Sequence, residues 1–247
     1  EAAAVNEIKR HKRFTVVVGN PPYAQYSMNL NDAAKAHIEK FRYANGARIR
    51  ARNALQLERN INDDYVKFLG FSTDQFSCGP GVLGMITNRM FLDSESLVGL
   101  REWLVTNFSK LYFVDLWGSS EESRRVERLA KDENVFDILQ GVAVSLAVQR
   151  PERDAALATT KLREVIGTRE QKYTILRTDL DLKSDEWLET RPEARDWWLN
   201  RGASNHDSGQ KEFTIAEVFP QFSTLVGSNR DHLVVDFDRE VVVRNVE

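Results

Sequence analysis

Apolar residues fall along this chain in two rhythms, and each switch of rhythm marks a predicted element. At 14–18 the run Phe-Thr-Val-Val-Val predicts a strand, closed by Gly19 and by Pro21-Pro22, which cannot continue a sheet ladder. Residues 1–13, with Lys9, Arg10, His11, Lys12 and Arg13, read as a helix end leading into it. No strand is expected across 24–59, a polar, arginine-rich stretch with helical patches and a break at Gly46. Asn62 then reads as the N-cap of a helix in which Tyr65, Phe68, Leu69 and Phe71 recur at helical spacing. A Gly-Pro-Gly turn at 79–81 precedes a strand at 82–87. A helix at 94–108 turns Leu97, Leu100, Trp103 and Leu104 inward. Strands follow at 110–117 and 142–148, separated by a charged loop or exposed helix at 119–132. Beyond 150 the pattern weakens: a strand is expected at 172–177, a short Trp-bearing helix at 194–199, a polar loop at 204–210 and a strand at 232–237. Strands alternating with helices argue for an α/β sheet built from crossover units.

Composition narrows the class. The chain has 247 residues, a net formal charge of -3 and no apolar run long enough to span a membrane. The single cysteine, Cys78, excludes an internal disulfide and a cysteine-based zinc site, and fits a reducing cytoplasm. His11, His37, His206 and His232 are scattered without metal-ligand spacing, so no metal site is expected. There is no GxxxxGK[ST] phosphate loop.

The chemistry concentrates at 16–23, Val-Val-Val-Gly-Asn-Pro-Pro-Tyr. This turn resembles the signature of amino-methyltransferases, which move a methyl group from S-adenosylmethionine to an exocyclic NH2, most often N6 of adenine in DNA. That amine is a poor nucleophile because its lone pair is delocalised into the ring, and its proton is too weakly acidic for a general base to help. Two acceptors that draw both N–H bonds out of the ring plane return density toward the methyl group. The resemblance gives these parts to the Asn20 side-chain oxygen and the Pro21 carbonyl. Pro21 and Pro22 fix φ near -65°, which aims that carbonyl in advance. Tyr23 offers a flat face for an extruded base.

The likeness extends further. It runs through Asp63-Asp64-Tyr65-Val66-Lys67-Phe68, Gly81 to Asn88, Phe91-Leu92-Asp93, Leu100-Arg101 and Tyr112 to Leu116. It continues with Asn134-Val135-Phe136 and Gly141-Val142-Ala143-Val144. In that order, over roughly 14–150, these segments resemble the gamma-type N6-adenine DNA methyltransferase module of large restriction-modification enzymes, nearest the type ISP and helicase-linked group. The resemblance implies a partial Rossmann-like fold holding the C-terminal part of the sheet, with a C-terminal α+β extension. It implies duplex DNA with a flipped adenine as partner and Phe136 as the second aromatic wall, the alternative for Phe136 being core packing. Asn88 and Phe91 are candidates to line the pocket, with structural use as the alternative.

The same resemblance divides the chain into a catalytic part, 1–150, an extension, 151–210, and the start of a target-recognition region, 211–247. In the last of these Phe222-Ser223 and Asn229-Arg230-Asp231 match the family's order, although Leu225 stands where it usually carries glycine. Arg230 is a candidate DNA contact there, against the reading of an Arg–Asp pair closing a turn. Arg42, Arg48, Arg50 and Arg52 are candidates to follow DNA phosphates, against the reading of a solvated helix face. Trp187, Trp197 and Trp198 read as packing for the extension.

A cofactor site of this class needs a Gly-rich loop after its first strand and an acidic residue after its second, both ahead of the turn, and the 19 residues before Asn20 form no strand–Gly-x-Gly–helix unit. Most of the S-adenosylmethionine site is therefore expected in a further part of a parent polypeptide, and the isolated chain is expected to methylate poorly. Two other readings stay open: a protein glutamine methyltransferase of the release-factor kind, and a non-catalytic DNA-binding or structural piece of a larger complex.

Overall fold

Residue by residue, β-branched runs become strands and helical spacing becomes helices in the computed structural model, which describes residues 7, 14–23, 27–50, 54–76, 79–118, 131–150, 157–178, 180–190 and 192. All of these belong to the first of two units, Glu1–Asn205. The strands are β1 (Val16–Gly19), the short pair β2 (Tyr43–Ala44) and β3 (Ala47–Arg48), then β4 (Gly81–Asn88), β5 (Lys110–Asp115), β6 (Val142–Gln149), β7 (Thr159–Glu164) and β8 (Leu188–Thr190). The helices are α1 (Asp32–Glu39), α2 (Ala54–Ile61), α3 (Asp64–Asp74), α4 (Val98–Asn107) and α5 (Arg169–Thr178).

Six strands form one sheet in the order β1-β4-β6-β5-β7-β8. β1 runs parallel to β4 and β5 parallel to β7, while β6 lies antiparallel between β4 and β5. β8 closes the sheet antiparallel to β7. Four strands thus point one way, and their carboxyl ends share one rim. The expected α/β class holds, with β6 entering the centre of the sheet, and β8 its edge, from the opposite direction.

Alternation along the strands sorts side chains into two cores. Leu83 and Met85 of β4, Leu111 and Phe113 of β5, and Ala143 and Ala147 of β6 join a cluster with Ile38, Val66, Leu69, Leu100 and Leu104 from α1, α3 and α4. Val114 and Val142 join Leu116, Val135, Val165 and Trp187, with Tyr173, Ile175 and Leu176 of α5 packed against them. Helices therefore cover both sheet faces.

Local chemistry sets the helix starts. The Asn31 side chain accepts from the Ala34 amide at 2.8 Å and caps α1. Asp63, rather than the expected Asn62, caps α3. Asn62 is already engaged, donating to the Glu58 carbonyl at 2.8 Å at the end of α2.

Two further expectations fail. The stretch 24–59 does contain strands: β2 and β3 form a hairpin turned by Asn45 (φ 53°) and Gly46 (φ 74°), the left-handed pair that a tight two-residue turn requires. Residues 172–177 are helix, not strand, because Lys172, Tyr173 and Leu176 share the face that α5 turns to the protein. The predicted elements at 194–199, 204–210 and 232–237 lie outside the described residues.

α4 packs closely over the residues leading into the hairpin. A Cβ on Gly99 would stand 2.2 Å from the Phe41 carbonyl oxygen and 2.5 Å from that of Tyr43. Backbone cannot swing aside as a side chain does, so Gly99→Ala is expected to cost about 1–3 kcal/mol. Thermal unfolding should show a midpoint lower by several degrees, roughly 2–4 °C per kcal/mol for a chain of this size. An unchanged midpoint would refute the close approach.

Candidate active site

β1 ends at Gly19 and delivers the Asn-Pro-Pro-Tyr turn onto the rim of the sheet. Asn20 and Pro22 are exposed, Pro21 is buried and Tyr23 is half-buried. The Tyr23 hydroxyl donates to Asn20 Oδ1 at 3.3 Å. Burial pushes the Tyr23 phenol up to about 12, so it stays protonated and able to donate through the neutral range. Its ring stands edge-on to Tyr65, centroids 6.4 Å apart and planes at 88°. Tyr65 is itself 1% exposed, and its hydroxyl has no hydrogen-bond partner among the described residues. Tyr23 packs against both cores, where the sheet's two faces meet the rim.

The segment 131–141, which leads into β6, brings a second aromatic to this cluster. Phe136 is half-buried on the same cluster that Tyr23 touches. Asn134 organises this segment from within: its amide donates to the carbonyls of Gly118, Ile138 and Gln140 at 3.0, 3.0 and 2.7 Å. Its side-chain oxygen accepts from the Phe136 amide at 3.0 Å. Gly118, at φ 82°, leaves the room this needs, since a Cβ there would lie 2.6 Å from Asn134 Cα.

Beneath the rim lies an ion pair that the sequence did not disclose. Arg89 Nε and Nη2 donate to the two Asp115 carboxylate oxygens at 2.8 and 2.9 Å. Both side chains are buried, at 4% and 0% exposure. Burial raises the Asp115 carboxyl above the ordinary aspartate range, against the lowering effect of the guanidinium. The Arg89 guanidinium also stacks 3.9 Å from the centre of the Trp117 ring. Trp117 adopts φ 49°, a left-handed conformation costing about 1–2 kcal/mol for a residue with a Cβ. It is held there by its amide on Asp115 (3.1 Å), its indole N–H on Glu164 (3.2 Å) and its carbonyl under the Val142 amide (2.9 Å).

The remaining candidates sit as follows. Asn88, at the end of β4, accepts from the Met90 amide at 2.9 Å and caps the short turn that follows. Phe91 is 1% exposed and packs edge-on to Phe113 at 5.8 Å. Arg42 binds Glu58 through both terminal nitrogens and reaches Glu39 at 3.2 Å, pulling the Glu58 carboxyl below its usual range. Arg48 meets the other Glu39 oxygen at 2.9 Å, and Arg50 is exposed. Arg42 and Arg48 are thus engaged by acids around the β2–β3 hairpin. Arg52 and Arg230 lie outside the described residues. A separate cavity of about 240 Å³ beside α1 and α3, lined by Asn31, His37, Lys67 and Phe71 among others, includes none of the turn residues. Among the described residues no helix is long and apolar enough to cross a membrane.

Comparison with known proteins places this geometry. Residues 1–121 match the family of the Eco57I restriction-modification methylase. No curated protein matches the chain. Among solved structures, the ATP-dependent Type ISP restriction-modification enzyme LlaBIII bound to DNA is 22% identical with a TM-score of 0.71, over 98% of this chain and 16% of that one. A nuclease-deletion mutant of the Type ISP enzyme LlaGI, in complex with a DNA substrate mimic, is 20% identical with a TM-score of 0.66, over 99% of this chain and 23% of that one. A DrdV–DNA complex is 23% identical with a TM-score of 0.64, over 100% of this chain and 25% of that one. This chain therefore spans a quarter or less of the length of those it resembles. Its first 121 residues thus match the Eco57I restriction-modification methylase family, and its fold is the one seen in part of the Type ISP restriction-modification enzymes.

Proposed function

We propose that this chain is the amine-orienting part of a DNA adenine-N6 methyltransferase within a larger restriction-modification polypeptide, acting on an adenine turned out of the duplex. The observation that carries this reading is the exposed Asn20 side chain at the carboxyl end of a parallel strand, hydrogen-bonded to Tyr23, which shares a cluster with Phe136. That end of an α/β sheet is where such folds bind ligands. The DNA-bound state of the structurally similar enzymes supports a DNA substrate.

In this reading Asn20 Oδ1 exchanges the Tyr23 hydroxyl for one hydrogen of the adenine amino group, and the Pro21 carbonyl takes the other. Tyr23 and Phe136 hold the base between them. S-adenosylmethionine supplies the electrophilic methyl group. The turn's own chemistry fits that donor, because residues 19–23 offer acceptors and no carboxylate base. The amine is made nucleophilic by geometry, and its surplus proton leaves after the methyl group arrives.

Incubating the full-length parent with duplex DNA and radiolabelled S-adenosylmethionine tests this. N6-methyladenine is expected in the nucleoside digest. Label on a release-factor glutamine, or on cytosine alone, would overturn the assignment.

A further inference from the structure

We propose that helix α5 is a positioning element for the Phe136 wall, so that the extension beyond the family-matched residues is part of the active site's frame. This rests on the reading of Phe136 as a base-stacking residue. Residues 135–140 form bends without regular structure, so nothing in their own backbone pattern fixes where Phe136 stands. Asn134 ties the segment from within, and three side chains within five residues of α5 hold it from outside. Lys172 donates to the Glu133 carbonyl at 2.6 Å, Arg169 to that of Asn134 at 2.8 Å, Tyr173 to that of Val135 at 2.6 Å, and Arg169 again to that of Phe136 at 3.2 Å. Four consecutive carbonyls are captured by one helix.

The two ends of the device are anchored as well. Lys172, fully buried, also donates to the Leu116 carbonyl just past β5 and to the Asp132 carboxylate, at 2.6 and 2.7 Å. Asp132 in turn accepts from the amides of Gly118 and Gly167 at 2.7 and 2.9 Å. Arg169 reaches Asp137 at 2.7 Å, one residue past the aromatic ring. A loop tied only for stability would need its ends held. Here the bonds run residue by residue up to Phe136 and stop one position beyond it.

Placement errors of about 1 Å near a reacting group lower rates by up to about 10²-fold, so the clamp should act on turnover rather than on DNA affinity. Arg169 is 38% exposed, so its replacement is expected to spare the core. Tyr173→Phe removes a single hydroxyl and provides a second, milder variant. Each is made in the full-length parent and compared with Phe136→Ala. Three quantities are read: kcat and KM for duplex, the emission of 2-aminopurine replacing the target adenine, and the thermal midpoint.

Arg169→Ala should lower kcat about tenfold or more with KM for duplex within about twofold. Both variants should shift the 2-aminopurine emission in the direction Phe136→Ala shifts it, without a matching fall in thermal midpoint. If Phe136→Ala alters kcat and emission while Arg169→Ala and Tyr173→Phe leave both unchanged, the clamp is refuted and the aromatic wall survives. If Phe136→Ala alters neither, the wall fails and the clamp's role fails with it. Loss confined to thermal midpoint would show α5 to be packing alone.

Discussion

Asn20→Ala in the parent polypeptide is expected to lower the single-turnover rate of methyl transfer by about 10²–10³-fold, the loss typical of removing one preorganised partner from a developing charge. The turn gives this variant a clean interpretation. The Asn20 side chain is exposed and its described hydrogen-bond partner is the Tyr23 hydroxyl, so its removal leaves the core untouched. Thermal midpoint and duplex affinity should therefore stay close to those of the parent. Tyr23→Phe provides the contrast: it releases Asn20 Oδ1 while keeping the ring, so its rate should remain within several-fold of the parent. Methyl transfer surviving Asn20→Ala intact would remove the turn from the chemistry and leave a scaffold.

Asp115→Ala should have the largest effect on stability, about 3–5 kcal/mol, because it strands a buried guanidinium without its partner. Arg89 is bound through two nitrogens to the carboxylate and stacked on Trp117, at 4% exposure. Its bond to Asp93, at 3.3 Å, is longer and offers only partial compensation. Urea unfolding should show a much lower midpoint with an unchanged slope. Joining Arg89→Met to Asp115→Leu should recover a large part of the loss, since replacing both partners of a buried pair leaves no uncompensated charge. A cost below about 1 kcal/mol for the single variant would mean that water reaches the pair.

Much of the sheet was legible because its strands carry the signal that burial writes into sequence. Val16 to Val18, Leu83 to Ile86 and Val142 to Val148 announce themselves by β-branching and apolar density. The turn was legible because Asn-Pro-Pro after such a strand permits few geometries. Other elements lacked such marks. β7 reads Thr-Thr-Lys-Leu-Arg-Glu, in which Arg163 is 5% exposed and tied to Glu186, so its burial depends on a partner more than twenty residues away. The β2–β3 hairpin is too short to show a period, and only Asn45-Gly46 signalled it. α5 looked like a strand because Tyr173, Thr174 and Ile175 are good strand formers. Lys172 was unreadable in principle: a lone lysine in sequence signals solvent, and only the carbonyls of 116 and 133 make it a buried tie.

The reversed β6 has a consequence for how the rim comes into being. β4 and β5 do not touch as neighbours; every ladder bond between the two halves of the sheet passes through β6. The turn after β1 lies on one half, while Trp117 and the α5 clamp lie on the other. Withdrawing that one strand would break every ladder bond between the halves and leave the Arg89–Asp115 pair and the side-chain core as their links. Loss of β6 is therefore expected to weaken the sheet and the rim together.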